Sequence, residues 1–186
     1  MMAIVPRIAA VSCFSTMPLI YGVKHAGSLR AELLLSDPEE VLREFSQHKA
    51  DIALVPSLAV PLLEGAKIVT EYCVGGVPSA HEALLTEHDP LLEAWQTIGT
   101  PLPLAFAVWV AREGVDPDTI EGLQQALIYG LEHSYEAILD SEYAADAVRA
   151  YERLTHFDYL FDNQKNNALE KFWDSGLKVA PRTNPG

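Results

Sequence analysis

The chain has 186 residues, 49% of them apolar, with 26 Asp and Glu against 13 Lys and Arg, a formal net charge of −13. That composition fits a globular protein with enough chain for one domain or two small lobes, and excludes a disordered segment. The acidic balance argues against nucleic acid, whose phosphates need clustered Lys and Arg, and against an anionic membrane surface. It leaves room for a small anionic ligand, held locally by backbone N–H groups.

In chain order, Ile4–Val11 is predicted as a first strand. It ends in three hydroxyl residues, Ser12, Ser15 and Thr16, and Pro18 opens a second apolar run, so a strand, a hydroxyl-lined turn and a helix follow one another. Ala31–Leu35 is a short second strand. Ser36-Asp37-Pro38-Glu39-Glu40 combines a capping residue, a first-turn proline and acids, and starts a helix to about His48 that buries Val41, Leu42 and Phe45. Ala50–Pro56 is an apolar run of buried-strand type, with Asp51 marking its entry and hydrogen-bonded to backbone. Ser57 then caps a short helix, and Lys67–Val74 forms another strand.

Gly75-Gly76-Val77-Pro78 is a turn or hinge, residues 80–96 mix helical signals around Asp89-Pro90, and Gly99–Pro103 is a second breaker. Leu104–Ala111 is predicted as a central strand, apolar on both faces. Asp116-Pro117-Asp118 caps a helix with the stripe Ile120, Leu123, Leu127 and Leu131, and a second helix is expected over Tyr135–Tyr151. After Phe157–Phe161, Asp162 or Asn163 caps a third helix, which presents Leu169, Phe172 and Trp173, stops at Gly176 and leaves a fraying tail over Pro181–Gly186. No internal repeat is evident. The strand, helix, strand order predicts an α/β layered fold with a central, mostly parallel sheet that contains 4–11, 50–56 and 104–111.

Cys13 and Cys73 form no CxxC pair and are expected as free thiols. No signal-peptide pattern opens the chain and no stretch suits a bilayer, so the expected location is cytoplasmic. The metal and nucleophile signatures HExxH and GxSxG are absent, as is a phosphate-binding glycine loop. His81, Glu82, Glu87, His88 and Asp89 fit no metal-ligand spacing and read as solvated surface. Trp95, Trp109 and Trp173 read as core. One constellation remains. The ends of two strands, at Ser12–Pro18 and Val55–Ser57, both lead into helix starts that carry hydroxyls. Such residues either cap the helix or, where parallel strands place them side by side, form an anion-holding shelf. The glycine-rich crossings would then carry a second lobe across from it.

Several blocks resemble the chorismate dehydratase family of the futalosine route to menaquinone. Val11-Ser-Cys-Phe-Ser-Thr-Met-Pro-Leu-Ile-Tyr-Gly22 resembles the family's opening block, usually Val-Ser-Tyr-x-Asn-Thr-Lys-Pro-Leu/Phe-x-Tyr-Gly. Ala50–Ser57 is similar to its second strand and turn, and Lys67–Gly75 to the strand that leads to its lobe crossing. Trp95 with Pro101–Trp109 resembles the return block, and Ala126–His133 and Phe157–Leu160 fit its C-terminal helices. Three departures stand out. Ser15 replaces the family's asparagine and Met17 its lysine. The return loop reads Gly99-Thr100-Pro101, with one residue inserted. Most of the second lobe has no counterpart between Gly76 and Glu93.

The resemblance implies a periplasmic-binding-protein-like (type II) α/β fold, with 1–76 and 104–186 as lobe one and 77–103 as the truncated second lobe and crossing. It implies a hydro-lyase that converts chorismate to 3-[(1-carboxyvinyl)oxy]benzoate without metal or organic cofactor. Ser15 would hold the catalytic position, and Ser12, Thr16 and Ser57 would bind substrate carboxylate. The alternatives are a non-catalytic small-carboxylate-binding protein of the same fold, or an interaction module. A homodimer or larger assembly is expected, because the shortened region 77–103 should expose apolar surface.

Overall fold

The computed structural model describes residues 5–76 and 104–174. The expectations for Ile4, for 77–103 (hinge, truncated lobe, Trp95, the His81–Asp89 group), for Gly176 and for the tail lie outside those residues.

The three apolar runs form strands in one sheet, as expected: β1 (Arg7–Val11), then β3 (Ile52–Pro56) and β5 (Leu104–Arg112). β3 is buried along its whole length, and Ala105–Ala111 of β5 are likewise buried. Neither shows polar alternation because both faces are covered. Asp51 does mark the entry to β3. Its carboxylate accepts from the Arg7 backbone N–H at 2.9 Å and pairs with the Arg7 guanidinium at 3.5 Å. The remaining strands are β2 (Glu32–Ser36), β4 (Ala66–Gly76) and β6 (Phe157–Leu160).

The sheet order is β2-β1-β3-β5-β4-β6. β1 pairs in parallel with β2 and with β3, whereas β5 runs antiparallel to both β3 and β4, and β6 antiparallel to β4. The sheet is therefore mixed rather than mostly parallel. β5 enters between β3 and β4 from the opposite end, so one strand converts two ladders to antiparallel. Sequence periodicity carries no sign of strand direction.

The helices begin where the capping chemistry places them. Asp37 accepts from the Glu40 N–H at 2.9 Å and opens α2 (Pro38–Ser46), which buries Val41, Leu42 and Phe45. Asp116 accepts from the Asp118 N–H at 2.8 Å and opens α3 (Pro117–Glu132), with Leu123 and Leu127 buried. The helix expected over Tyr135–Tyr151 is instead split into α4 (Ser134–Leu139), a 3-10 turn and α5 (Ala147–Leu154). Ser141 makes the break. Its hydroxyl donates to Ile138 O at 2.6 Å and accepts from the Tyr143 N–H at 3.1 Å, so it closes α4 locally. Asp162 caps α6 (Asn163–Asp174) by accepting from the Lys165 N–H at 3.0 Å.

α1 (Met17–His25) packs along α3, and the two helices carry a short internal repeat, contrary to the expectation of none. Leu19-Ile-Tyr-Gly-Val-Lys-His25 and Leu127-Ile-Tyr-Gly-Leu-Glu-His133 share Leu-Ile-Tyr-Gly-x-x-His. The helices cross at the two glycines. A Cβ on Gly22 would lie 1.9 Å from Ala126 O, and one on Gly130 would lie 1.9 Å from Pro18 O. Tyr21 stacks on Tyr129 at 6.4 Å, and each tyrosine meets the histidine one turn on, at 4.3 Å for His25 and 4.0 Å for His133. The two halves of this contact are thus chemically equivalent. Right-handed crossovers from β1 to β2 and from β2 to β3 run in opposite directions across the sheet, so α1 and α2 cover opposite faces.

Candidate functional site

The two hydroxyl turns lie at one edge of the sheet. Ala10 is in register with Leu54, and β1 and β3 run parallel, so their carboxyl ends emerge side by side. After Val11 the Ser12 N–H donates to Ser36 O at 3.1 Å, and Phe14–Thr16 form a 3-10 turn that leads into α1. Phe14 anchors that turn. Its ring meets Tyr143 edge-on at 5.0 Å, the Arg153 guanidinium sits 4.1 Å over it, and Ile138, Ala150 and Leu154 complete the cluster.

The four candidate residues do not share one environment. Ser12 is exposed, whereas Ser15, Thr16 and Ser57 are fully buried. Thr16 is committed to the turn: its hydroxyl donates to Cys13 O and accepts from the Cys13 N–H, both at 3.0 Å. α1 itself has no side-chain cap bond. The Ser15 hydroxyl lies 3.2 Å from the Cys13 sulfur. Ser57 does not cap the 3-10 turn Ser57–Leu62, whose preceding residue is Pro56. Its hydroxyl is buried with no hydrogen-bond partner among the described residues. The two turns expected to form an anion-holding shelf thus present one exposed serine beside three buried hydroxyls.

Sequence reasoning missed the groups that hold these turns. The Tyr159 hydroxyl donates to Ser15 O at 2.7 Å, and the Trp173 indole N–H donates to Ser57 O at 3.3 Å. Strand β6 and helix α6 thus fasten both turns from the far end of the chain. The available signal was that a tyrosine or tryptophan on an inward face needs a partner for its polar tip. Close by, the Lys165 ammonium is fully buried, 2.6 Å from the Asp158 carboxylate and 3.8 Å from Asp162. The Cys73 thiol lies 3.9 Å from Asp158 O. Burial pushes that thiol up to about 12, against the Lys165 charge, which favours the thiolate. Cys13 and Cys73 are both free.

A groove of about 310 Å³ lies at the opposite end of β1 and β2, lined by Arg7, Glu32, Leu34, Glu44 and Lys49 among others. It shares no residue with the hydroxyl edge. Among the described residues no helix is long and apolar enough to cross a membrane, and no three His, Cys, Asp or Glu side chains gather to hold a metal ion.

A mixed sheet whose parallel strands deliver two turns to one edge, with a returning antiparallel strand and flanking helices, defines a periplasmic-binding-protein-like fold. Solved structures share it. Protein AF1704 from Archaeoglobus fulgidus superposes with a TM-score of 0.67 at 15% identity, over 90% of this chain and 95% of that one. The CA3427 gene product of Candida albicans, described as having the generic periplasmic binding protein fold, gives a TM-score of 0.62 at 10% identity, over 96% and 97% of the two chains. The alkanesulfonate-binding protein SsuA from Xanthomonas axonopodis pv. citri, bound to MOPS, gives 0.51 at 10% identity over 96% of each chain. No family model and no curated protein matches this sequence. The structural matches establish the fold.

Proposed function

We propose that this chain is a chorismate dehydratase-like protein that holds a small carboxylate at the β1–β3 edge and dehydrates chorismate poorly or not at all. The observation that carries the reading is Ser57. Its buried hydroxyl has no partner among the described residues and sits at the carboxyl end of a strand, beside the turn that follows β1. An unmade hydrogen bond at a buried hydroxyl costs about 1–3 kcal/mol, and an accepting ligand removes that cost. Ser12, exposed on the neighbouring turn, offers a second donor. The SsuA structure holds a sulfonate on a related fold, and a carboxylate is the ligand we take from the sequence blocks described above.

Dehydration asks for more than binding. A base must take the ring proton, the C–H electron pair must enter the new double bond, and the departing hydroxyl must receive a proton from an acid to leave as water. The four residues at this edge carry only hydroxyls, which donate and accept hydrogen bonds but hold no proton-accepting group poised near neutral pH. Ser15 offers one donor where an asparagine amide offers two. A cytoplasmic location is part of the proposal, and the free thiols Cys13 and Cys73 are compatible with it.

The test is calorimetric titration of the purified chain with chorismate and aromatic dicarboxylates, beside an assay that follows chorismate loss. Chorismate should bind without turnover. Ser57→Ala should weaken binding about tenfold, the equivalent of one hydrogen bond, and Ser15→Asn should raise any residual rate. Absence of binding, or binding untouched by Ser57→Ala, refutes the site. Robust turnover by the parent refutes the low-activity part.

A further inference from the structure

We propose that the free edge of β2 is a self-association surface, on which a second copy of this chain adds its own β2 antiparallel about a twofold axis at Leu34. Among the described residues β2 is the terminal strand of the sheet order and pairs with β1 alone. The Glu32 N–H donates to Pro6 O at 2.9 Å and the Ser12 N–H to Ser36 O at 3.1 Å, so the backbone groups of Glu32, Leu34 and Ser36 face β1. Backbone groups alternate along a strand, so those of Leu33 and Leu35 face outward. A twofold axis at Leu34 sets Leu33 against the partner's Leu35, and Leu35 against the partner's Leu33. Each of these pairs exchanges two hydrogen bonds. Leu34 meets the partner's Leu34 as a non-hydrogen-bonded pair, with Cα atoms about 4.5 Å apart.

Two observations favour a second copy as the occupant. The edge is unguarded: β2 is in unbroken register with β1 over five residues, Leu33–Leu35 carry no charge or proline, and Leu34 is 40% exposed. Native edges are usually blunted by lysine, proline or a bulge. The opposite edge, β6, is four residues long and carries Asp158, bound to Lys165. Charge along β2 is also self-complementary. Exposed Arg30 lies at its amino end, while Asp37 and Glu39 lie just past its carboxyl end. Antiparallel pairing lays the arginine end of each copy beside the acidic end of the other, with Glu32 opposite the partner's Ser36. Parallel pairing would stack like ends. A single pair of five-residue strands buries far less than the roughly 1,600 Å² of a standard interface, so the dimer depends on concentration.

Sedimentation velocity from roughly 1 to 200 µM, the range in which weak specific contacts show, tests this with three chains. The parent should pass from monomer to dimer as concentration rises. Leu35→Pro deletes an outward N–H and no bond to β1, and Leu34→Lys sets two like charges on the axis. Both should stay monomeric, and Leu34→Lys, at a side chain that is 40% exposed, should keep the parent's melting temperature. Under mild oxidation Leu34→Cys should form a disulfide dimer above the parent background, since its Cα separation falls in the bridging range. Glu32→Cys should not, because four residues of rise leave the two copies about 13 Å apart. A parent that is monomeric throughout, a dimer that survives both Leu34→Lys and Leu35→Pro, or equal cross-linking at positions 32 and 34 overturns the proposal.

Discussion

Replacing Gly22 by alanine sets two effects against each other. Helix propensity alone makes Gly22→Ala stabilising, by about 1 kcal/mol inside α1. Packing says otherwise. The new Cβ would lie 1.9 Å from Ala126 O and 2.9 Å from both Ala126 C and Gly130 N. Ordinary contact begins near 3.4 Å, so α1 and α3 must part by about 1.5 Å at their crossing. A gap of 0.5–1 Å already forfeits roughly a quarter to a half of each dispersion contact, and Leu19 and Leu127 sit beside it. Overpacking costs about 1–3 kcal/mol where side chains can yield. Here the obstacle is a carbonyl locked in a helix, so the upper end applies, and the net loss is about 2 kcal/mol. For a chain of this length that lowers Tm by roughly 4–8 °C. Thermal unfolding by circular dichroism reads the shift. Gly130→Ala should match Gly22→Ala because its clash with Pro18 O is the same. The double variant should cost less than the sum, since the first change has already parted the helices. Gly27→Ala, with nothing within 4 Å of the added carbon, is the control and should change little. A Gly22→Ala chain that melts at or above the parent temperature refutes the reasoning.

Two further expectations concern buried groups. The folded Cys73 thiol is held up to about 12, chiefly by burial, against 9.0 for the unstrained group. Because the folded value is raised, the neutral thiol's contribution to stability is intact below about pH 9 and is lost as pH rises from there toward 12. Urea midpoints measured across that window should fall more steeply for the parent than for Cys73→Ala, and equal slopes would contradict the assignment. The Lys165 ammonium is fully buried, whereas the Asp158 side chain is 50% exposed. Asp158→Ala leaves the buried charge one partner short and should cost about 3 kcal/mol. Lys165→Met lets both carboxylates regain water and should cost less, and chemical denaturation showing the reverse order would refute this.

Local chemistry was readable before any fold was known. Asp37, Asp116 and Asp162 each satisfy an orphan N–H within three residues, so the helix starts at Pro38, Pro117 and Asn163 needed no distant partner. The runs at 8–11, 52–56 and 105–111 are apolar throughout because both faces are covered, and this marks them as central strands. Asp51 interrupts its run for a reason visible in advance, a backbone partner at the strand's entry. Ser141, by contrast, breaks a helix that propensity would continue, through a hydroxyl that bonds three residues back.

The tertiary structure decided which of these pieces meet. Strand direction is a property of the whole path, so the antiparallel insertion of β5 between β3 and β4 left no mark on the local pattern. The hydroxyl turns could be named from the sequence, but their accessibility could not. Burial of Ser15, Thr16 and Ser57, and the Tyr159 and Trp173 bonds to the turn carbonyls, depend on elements more than a hundred residues away. The same holds for Gly22 and Gly130. Each is an ordinary helix residue on its own, and only the approach of the other helix, backbone against backbone, makes the missing side chain necessary.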